Sequence, residues 1–166
     1  MHLIPGDRKA RAFTAGMLDD KLYLVDTRGG RATPVFDFTT IASGGWPQLI
    51  RMTRDGKRLF ITMNVARPRR DVRYVGSGTP VLLSTLDLGA DAGPHYLALT
   101  GDERRLVVSD YFLNEDAFGK VHREGDHKIH VAKVTARSPR TRPALQSRLQ
   151  HRVSTGPARP HGMAFK

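Results

Sequence analysis

The 166-residue chain contains no cysteine, which excludes disulfide bonds and thiolate metal sites. It also lacks any apolar run long enough for a secretory signal peptide or a membrane-spanning helix, so the sequence predicts a cytoplasmic protein. Helical periodicity is missing as well, since the hydrophobic residues alternate or form short runs that are typical of strands. These absences favour a single all-β domain that is large enough to bury a core.

Acidic residues are also scarce: 27 Lys and Arg face 16 Asp and Glu, for a net charge of +11. Such a balance by itself suggests a nucleic-acid partner. The charge is uneven, however, and one segment free of acidic residues contains five arginines: Arg137, Arg140, Arg142, Arg148 and Arg152. The other basic residues are scattered over predicted turns and alternating strand positions, without an aromatic-interleaved stripe. We therefore expect neither a nucleic-acid nor a membrane partner.

A strand–turn–strand unit is repeated along the chain. Its clearest copy is residues 94–112, where PHYLALT and RLVVSDYF flank the polar turn GDERR. An earlier copy covers residues 46–64, and a third begins at residues 159–165 with RPHGMAF. The proline that opens the unit recurs after 47 residues, at Pro47 and Pro94. A period in the forties with two strands per copy is the pattern of β-propeller blades.

The repeat predicts an all-β fold, namely an incomplete β-propeller of about three four-stranded antiparallel blades. In this interpretation residues 1–166 form one partial propeller domain. Its blades cover about 13–40, 45–90 and 93–135, and residues 158–166 begin a strand of a further blade. Residues 137–154 should supply the fourth strand of the third blade, but their composition predicts an irregular, solvated segment.

Three stretches carry a resemblance to a known family: GGWPQLIRMTRDGKRLFITMN, GPHYLALTGDERRLVVSDYFLNEDAFGKVHREGDHKIHV and TGPARPHGMAFK. They are similar to the selenium-binding-protein family, whose members include methanethiol oxidases. The match covers most of residues 44–135 and then 155–166. The resemblance implies a closed propeller of about seven blades, of which this chain would be a partial copy. It also implies copper-dependent oxidation of a small thiol by oxygen, although the cysteine-based selenium binding of some relatives has no counterpart here.

The resemblance also offers an explanation for residues 137–154. Family members have a segment similar to ELDPRFNLDFNTAFP before TGPARPHG. If residues 148–154 are encoded CGA CTT CAA CAC CGC GTT TCC, the frame one nucleotide later encodes DFNTAF. We hypothesise that one inserted and one later deleted base frameshift this segment and that the frame is regained at Thr155. Codons in the gene that are incompatible with this overlap would end the hypothesis.

Histidines are the candidate functional residues. His95 and His161 each follow a proline at the start of a predicted innermost strand, a position that faces the central channel of a propeller. His122, His127 and His130 lie close together in HREGDHKIH. Imidazole suits copper, zinc or iron, and the resemblance implies copper. We predict His95, His161, His122 and His127 as metal ligands, and His130 as a weaker candidate. Asp110 and Glu115 are candidates to orient the imidazoles, since ligating histidines commonly donate to a carboxylate.

Each of these residues also has an ordinary structural explanation. A histidine after proline at a blade start can simply hydrogen-bond to a neighbouring strand, and Asp110 and Glu115 can be solvated surface residues. Three functions therefore stay open. The chain is a fragment of a selenium-binding-protein-like thiol oxidase, itself inactive or completed by missing blades or self-association; or a non-catalytic propeller interaction module; or a lactonase-like propeller enzyme, because PHGMAF also resembles the blade starts of that group.

Overall fold

The computed structural model describes residues 1–40, 45–64, 70–76, 80–89, 92–111, 114–115, 118, 120–123, 128–134 and 145–152. Within these ranges, 70–76, 114–115, 121–123 and 145–152 are described by their backbone alone. In these ranges the elements are strands, apart from one turn of 3-10 helix at Phe38–Thr40. No helix in the described ranges is long and apolar enough to cross a membrane.

Three four-stranded antiparallel sheets follow one another along the chain. The first sheet has the order β1-β2-β3-β4, the second β5-β6-β7-β8, and the third β9-β10-β13-β14. Their bounds are β1 His2–Leu3, β2 Arg11–Gly16, β3 Lys21–Asp26, β4 Arg31–Asp37, β5 Pro47–Met52, β6 Arg58–Met63, β7 Arg70–Gly76, β8 Val81–Gly89, β9 Pro94–Leu99, β10 Arg105–Asp110, β13 Lys128–Val134 and β14 Leu145–Arg152. A two-stranded sheet, β11 Asn114–Glu115 and β12 Val121–Arg123, is inserted between β10 and β13. The predicted incomplete propeller of about three four-stranded blades is thus confirmed.

Two details differ from the expected blades. The first sheet begins at β1 rather than near residue 13, because His2–Leu3 pairs with Ala12 and Phe13 of β2. In the segment predicted to be irregular, Leu145–Arg152 forms β14 and pairs along the whole of β13. The ladder is made by backbone groups, so an arginine-rich strand can add to the free edge of β13 despite its composition. Residues 158–166 lie outside the described residues.

The core lies between the sheets, and β6 contributes to both interfaces. Phe60, which is fully buried, belongs to the cluster that joins the second and third sheets, with Leu86, Leu97 and Leu106. On the other face of the same strand Ile61 belongs to the cluster shared with the first sheet. Successive side chains of a strand point to opposite faces, so β6 packs against the first sheet on one face and the third sheet on the other.

The turns between the first two strands of each sheet share an aspartate. Asp7, Asp55 and Asp102 each accept a hydrogen bond from the backbone N–H two residues further on, at 3.3, 3.0 and 3.0 Å. In the second sheet Gly56, at φ +67°, completes the turn, and a Cβ there would lie 3.2 Å from the carbonyl oxygen of Pro5. This Asx-type pairing explains why DGKR and GDERR are turn sequences.

Candidate channel-mouth site

His95 lies at the start of the first strand of the third sheet. Pro94 opens β9 and is paired in register with Asp110 at the end of β10, with a bulge between Ser109 and Asp110. The backbone N–H of Tyr111 donates to the carbonyl oxygen of Gly93 at 3.0 Å, which closes this end of the strand pair. Proline fits here because its missing N–H is not needed at the first residue of a strand. We call this end of the sheets the histidine end.

The imidazole of His95 contacts the equivalent residue of the neighbouring sheet. Its Nδ1 lies 2.9 Å from Oε1 of Gln48, which follows Pro47 just as His95 follows Pro94. An amide oxygen only accepts, so this contact is a hydrogen bond in the tautomer that carries its proton on Nδ1, and in that tautomer the lone pair is on Nε2. Residues that follow the proline of two neighbouring sheets therefore contact each other.

Further contacts fix the position of β9. The hydroxyl of Thr62 on β6 donates to the carbonyl oxygen of His95 at 3.1 Å and accepts from the N–H of Leu49 at 3.1 Å. The ring of Tyr111 lies 5.7 Å from that of His95, centroid to centroid. From the first sheet, the thioether of Met17 accepts from Nε2 of Gln48 at 3.8 Å. All three sheets thus contribute a side chain to the histidine end.

Buried polar residues lie next to these contacts. Asp110, 1% exposed, ends β10 directly before Tyr111, so it is not the solvated surface residue of the ordinary explanation. Asn64 follows β6 as Tyr111 follows β10, and neither of its buried side-chain amide atoms has a hydrogen-bond partner among the described residues. Ser109 Oγ is likewise buried and has no partner in the part of the chain that the structure describes. Unpaired buried polar atoms are rare in proteins and mark places where a water or a ligand commonly binds.

Sequence reasoning missed Asn64. The only signal was its place in the repeat: Asn64 directly follows a second strand and lies opposite Trp46, the residue before the proline that opens a first strand.

The remaining predicted residues are only partly placed. Glu115 lies on β11 and pairs with Val121, next to His122 on β12, so the backbone brings Glu115 and His122 to one short hairpin. His127 and His161 lie outside the described residues. His130 is on β13, buried at 1% exposure and opposite Val108 of β10. The side chains described by the structure include no group of three His, Asp or Glu residues that could hold a metal ion.

No protein-family model matches the chain, and no curated protein matches its sequence. Solved structures do match. The β-propeller domain of Cps50 (Swd1) from Myceliophteria thermophila is 14% identical with a TM-score of 0.63, and the match covers 91% of this chain and 46% of that one. A putative 6-phosphogluconolactonase from Bacteroides fragilis is 15% identical with a TM-score of 0.60, over 88% and 36% of the two chains. A second one, from Bacteroides uniformis, is 16% identical with a TM-score of 0.56, over 82% and 35%.

These likenesses show the β-propeller fold. The chain spans less than half the length of each of these structures.

Proposed function

We propose that this chain forms part of a selenium-binding-protein-like β-propeller whose histidine end binds copper through His95 and oxidises a small thiol. The observation that carries the proposal is the 2.9 Å contact between His95 Nδ1 and Gln48 Oε1. It brings the proline-following residues of two neighbouring blades together. His161 follows Pro160 in the same way, so a further blade would direct a second imidazole to this end.

The donor chemistry of the histidine end fits copper. Ligating imidazoles usually donate their other ring N–H to an acceptor, and Gln48 supplies that acceptor to His95. The thioether of Met17, held beside Gln48, is the kind of soft donor that Cu(I) prefers. Among the described side chains, no two further ligand residues lie close enough to His95 to form a metal site with it. In this proposal His161, His122 and His127 complete the ligand set.

Each residue then has a separate role. Gln48 sets the tautomer of His95, Tyr111 packs against the imidazole ring, and Thr62 fixes the backbone carbonyl of His95. Asp110 and Glu115 are proposed to orient the ligands. Copper, when bound, would supply the one-electron chemistry that oxidation of a thiol by oxygen requires. Because the chain spans less than half of the propellers it resembles, activity is proposed for the completed ring, formed with further blades or by self-association.

The proposal is tested by copper titration of the purified chain against a competing chelator, with metal content measured directly. We expect about one tightly held copper per chain and a loss of at least about tenfold in affinity in His95→Gln and His161→Gln. Gln48→Leu should weaken binding by about 10- to 100-fold through the orientation of His95. His2→Gln is the matched control, because it removes an imidazole near the N-terminus and should leave the affinity unchanged.

Other results would favour the alternatives. A folded, metal-free chain, or copper binding that only His2→Gln weakens, would contradict the proposal and favour a non-catalytic interaction module. Hydrolysis of a lactone by the metal-free chain would instead favour the lactonase-like alternative.

A further inference from the structure

We infer that the chain has a second site, a binding groove for a small organic oxyanion, at the end of the sheets opposite the histidine end. The groove encloses about 510 Å³, and all three sheets contribute to it. Its polar lining includes His2, Arg51, Arg54, Tyr96 and Glu103. This volume lies within the usual range of small-molecule sites, roughly 300–1,000 Å³. Nothing in the proposed copper chemistry uses this groove.

Arg51 is the residue whose positive charge indicates that the ligand is an anion. Its Nε donates to the carbonyl oxygen of Leu97 at 3.3 Å, and its Nη2 donates to the hydroxyl of Tyr96 at 3.0 Å. The guanidinium carbon lies 5.7 Å from the centroid of the Tyr96 ring. The side chain of Arg51 is therefore fixed across the boundary between the second and third sheets by neutral groups.

The charge of Arg51 has no counter-ion among the residues that the structure describes. In the ranges that the structure describes, no carboxylate forms an ion pair with Arg51. The nearby Glu103 is already used by Arg54: its Oε1 accepts from the backbone N–H of Arg54 at 2.6 Å and lies 3.6 Å from Nε of Arg54. A half-buried guanidinium without a carboxylate partner is an electrostatic cost that a bound anion would remove.

The geometry of the groove narrows the class of ligand. Arg51 has five N–H donors, of which two are occupied by Leu97 and Tyr96. The remaining donors can form the paired hydrogen bonds that a carboxylate or a phosphate accepts. Met52, Leu99 and Pro5 add apolar walls to the same groove. The preferred ligand is therefore an oxyanion that carries an apolar group, rather than a bare inorganic ion.

The test is calorimetric titration of phenyl phosphate, benzoate and inorganic phosphate into the chain after treatment with EDTA. We expect saturable binding of the two aromatic anions, weaker binding of inorganic phosphate, and affinity that falls with added salt. Arg51→Gln should weaken binding at least about tenfold. Arg28→Gln, which removes the same charge from an exposed turn residue that does not line the groove, should change it less than about twofold.

A second variant separates loss of binding from loss of folding. Glu103→Gln keeps an oxygen for the N–H of Arg54 and removes the negative charge, so binding should become at least about twofold tighter. Misfolding cannot produce that gain. The inference is overturned if no saturable binding is found, if Arg28→Gln and Arg51→Gln weaken binding equally, or if Glu103→Gln leaves it unchanged. Equal affinity for inorganic and phenyl phosphate would contradict the role of the apolar walls.

Discussion

Asp7 shows how a single partly buried carboxylate orders the N-terminal turn. Its Oδ2 accepts from Nε of Arg11 at 2.8 Å and from the backbone N–H of Arg11 at 3.0 Å. The side-chain hydrogen bond from Arg11 is the main cause that lowers the pKa of Asp7 from 3.8 to about 2. Hydrogen bonds to the charged form of an acid always act in this direction. Asp7 therefore stabilises this turn through hydrogen bonds to its charged form, and these hydrogen bonds weaken when it is protonated.

Stability should follow the protonation of Asp7. Because the folded pKa lies below the unfolded value, the contribution of Asp7 is complete above about pH 4 and is lost as the pH falls towards 2. We expect the NMR titration of the Asp7 carboxyl carbon to have its midpoint near 2. Arg11→Gln should move that midpoint towards 3.8, whereas Arg28→Gln should not. A midpoint near 3.8 in the unmodified chain would contradict the assignment of the Arg11 hydrogen bond.

At the scale of one element, the turn between β5 and β6 depends on Thr53. Its hydroxyl donates to Asp55 Oδ1 at 2.5 Å and accepts from the backbone N–H of Arg58 at 3.2 Å, and the residue is 4% exposed. The equivalent Thr100 makes the same two contacts with Asp102 and Arg105. The hydroxyl thus connects both ends of the hairpin to the carboxylate at its centre.

Thr53→Val should destabilise the chain by about 1–3 kcal/mol, because it leaves the N–H of Arg58 without its side-chain acceptor. Thr53→Ser keeps the hydroxyl and is the matched control. The measurement is urea unfolding with the midpoint and the slope fitted separately, and the slope should stay constant. Equal midpoints for the valine and serine variants would show that the hydroxyl does not stabilise the hairpin.

The elements differ in how well the sequence predicted them. KLYLVD alternates clearly between two turns, and this pattern coincides with the strand β3, Lys21–Asp26, inside the first predicted blade. β1 was missed because a strand of two residues, His2–Leu3, is too short to show periodicity. β14 was predicted to be irregular because composition reports on side chains, whereas pairing with β13 uses backbone groups.

The site was predictable only in part, for a related reason. Proline followed by histidine at a repeat position indicated His95, but only the packing of two sheets shows that Gln48 is its partner. Among the described residues, Asn64 is a candidate because its buried amide has no hydrogen-bond partner, and Arg51 because it forms no ion pair. Burial and pairing depend on how neighbouring sheets pack, which a local sequence pattern does not show.

At the scale of the whole molecule, the second sheet is the centre of the described structure. A closed propeller needs a neighbour on both sides of every blade, and here the second sheet has both, through the clusters that include Phe60 and Ile61. The first and third sheets each contact the second. If additional blades or a second copy complete the ring, as we propose, they would pack against these two outer sheets.

Because one strand supports both interfaces, the three sheets should unfold together. Phe60→Ala should cost about 3–5 kcal/mol and Ile61→Ala about 2–5 kcal/mol, since both side chains are fully buried. Each variant should shift one common transition rather than separate one sheet from the others. The measurement compares two probes in urea: fluorescence of Trp46, the single tryptophan, beside the junction with the first sheet, and circular dichroism of all sheets.

Coincident curves in both variants would show one cooperative unit. Separate transitions would instead indicate blades that fold as independent repeats, as in solenoid proteins. In that case Phe60→Ala should leave the Trp46 transition in place while part of the total dichroism is lost at lower urea. Ile61→Ala should instead move the Trp46 transition to lower urea than most of the dichroism. A chain whose sheets separated so easily could not hold Gln48 against His95 at the strength that the proposed copper site requires.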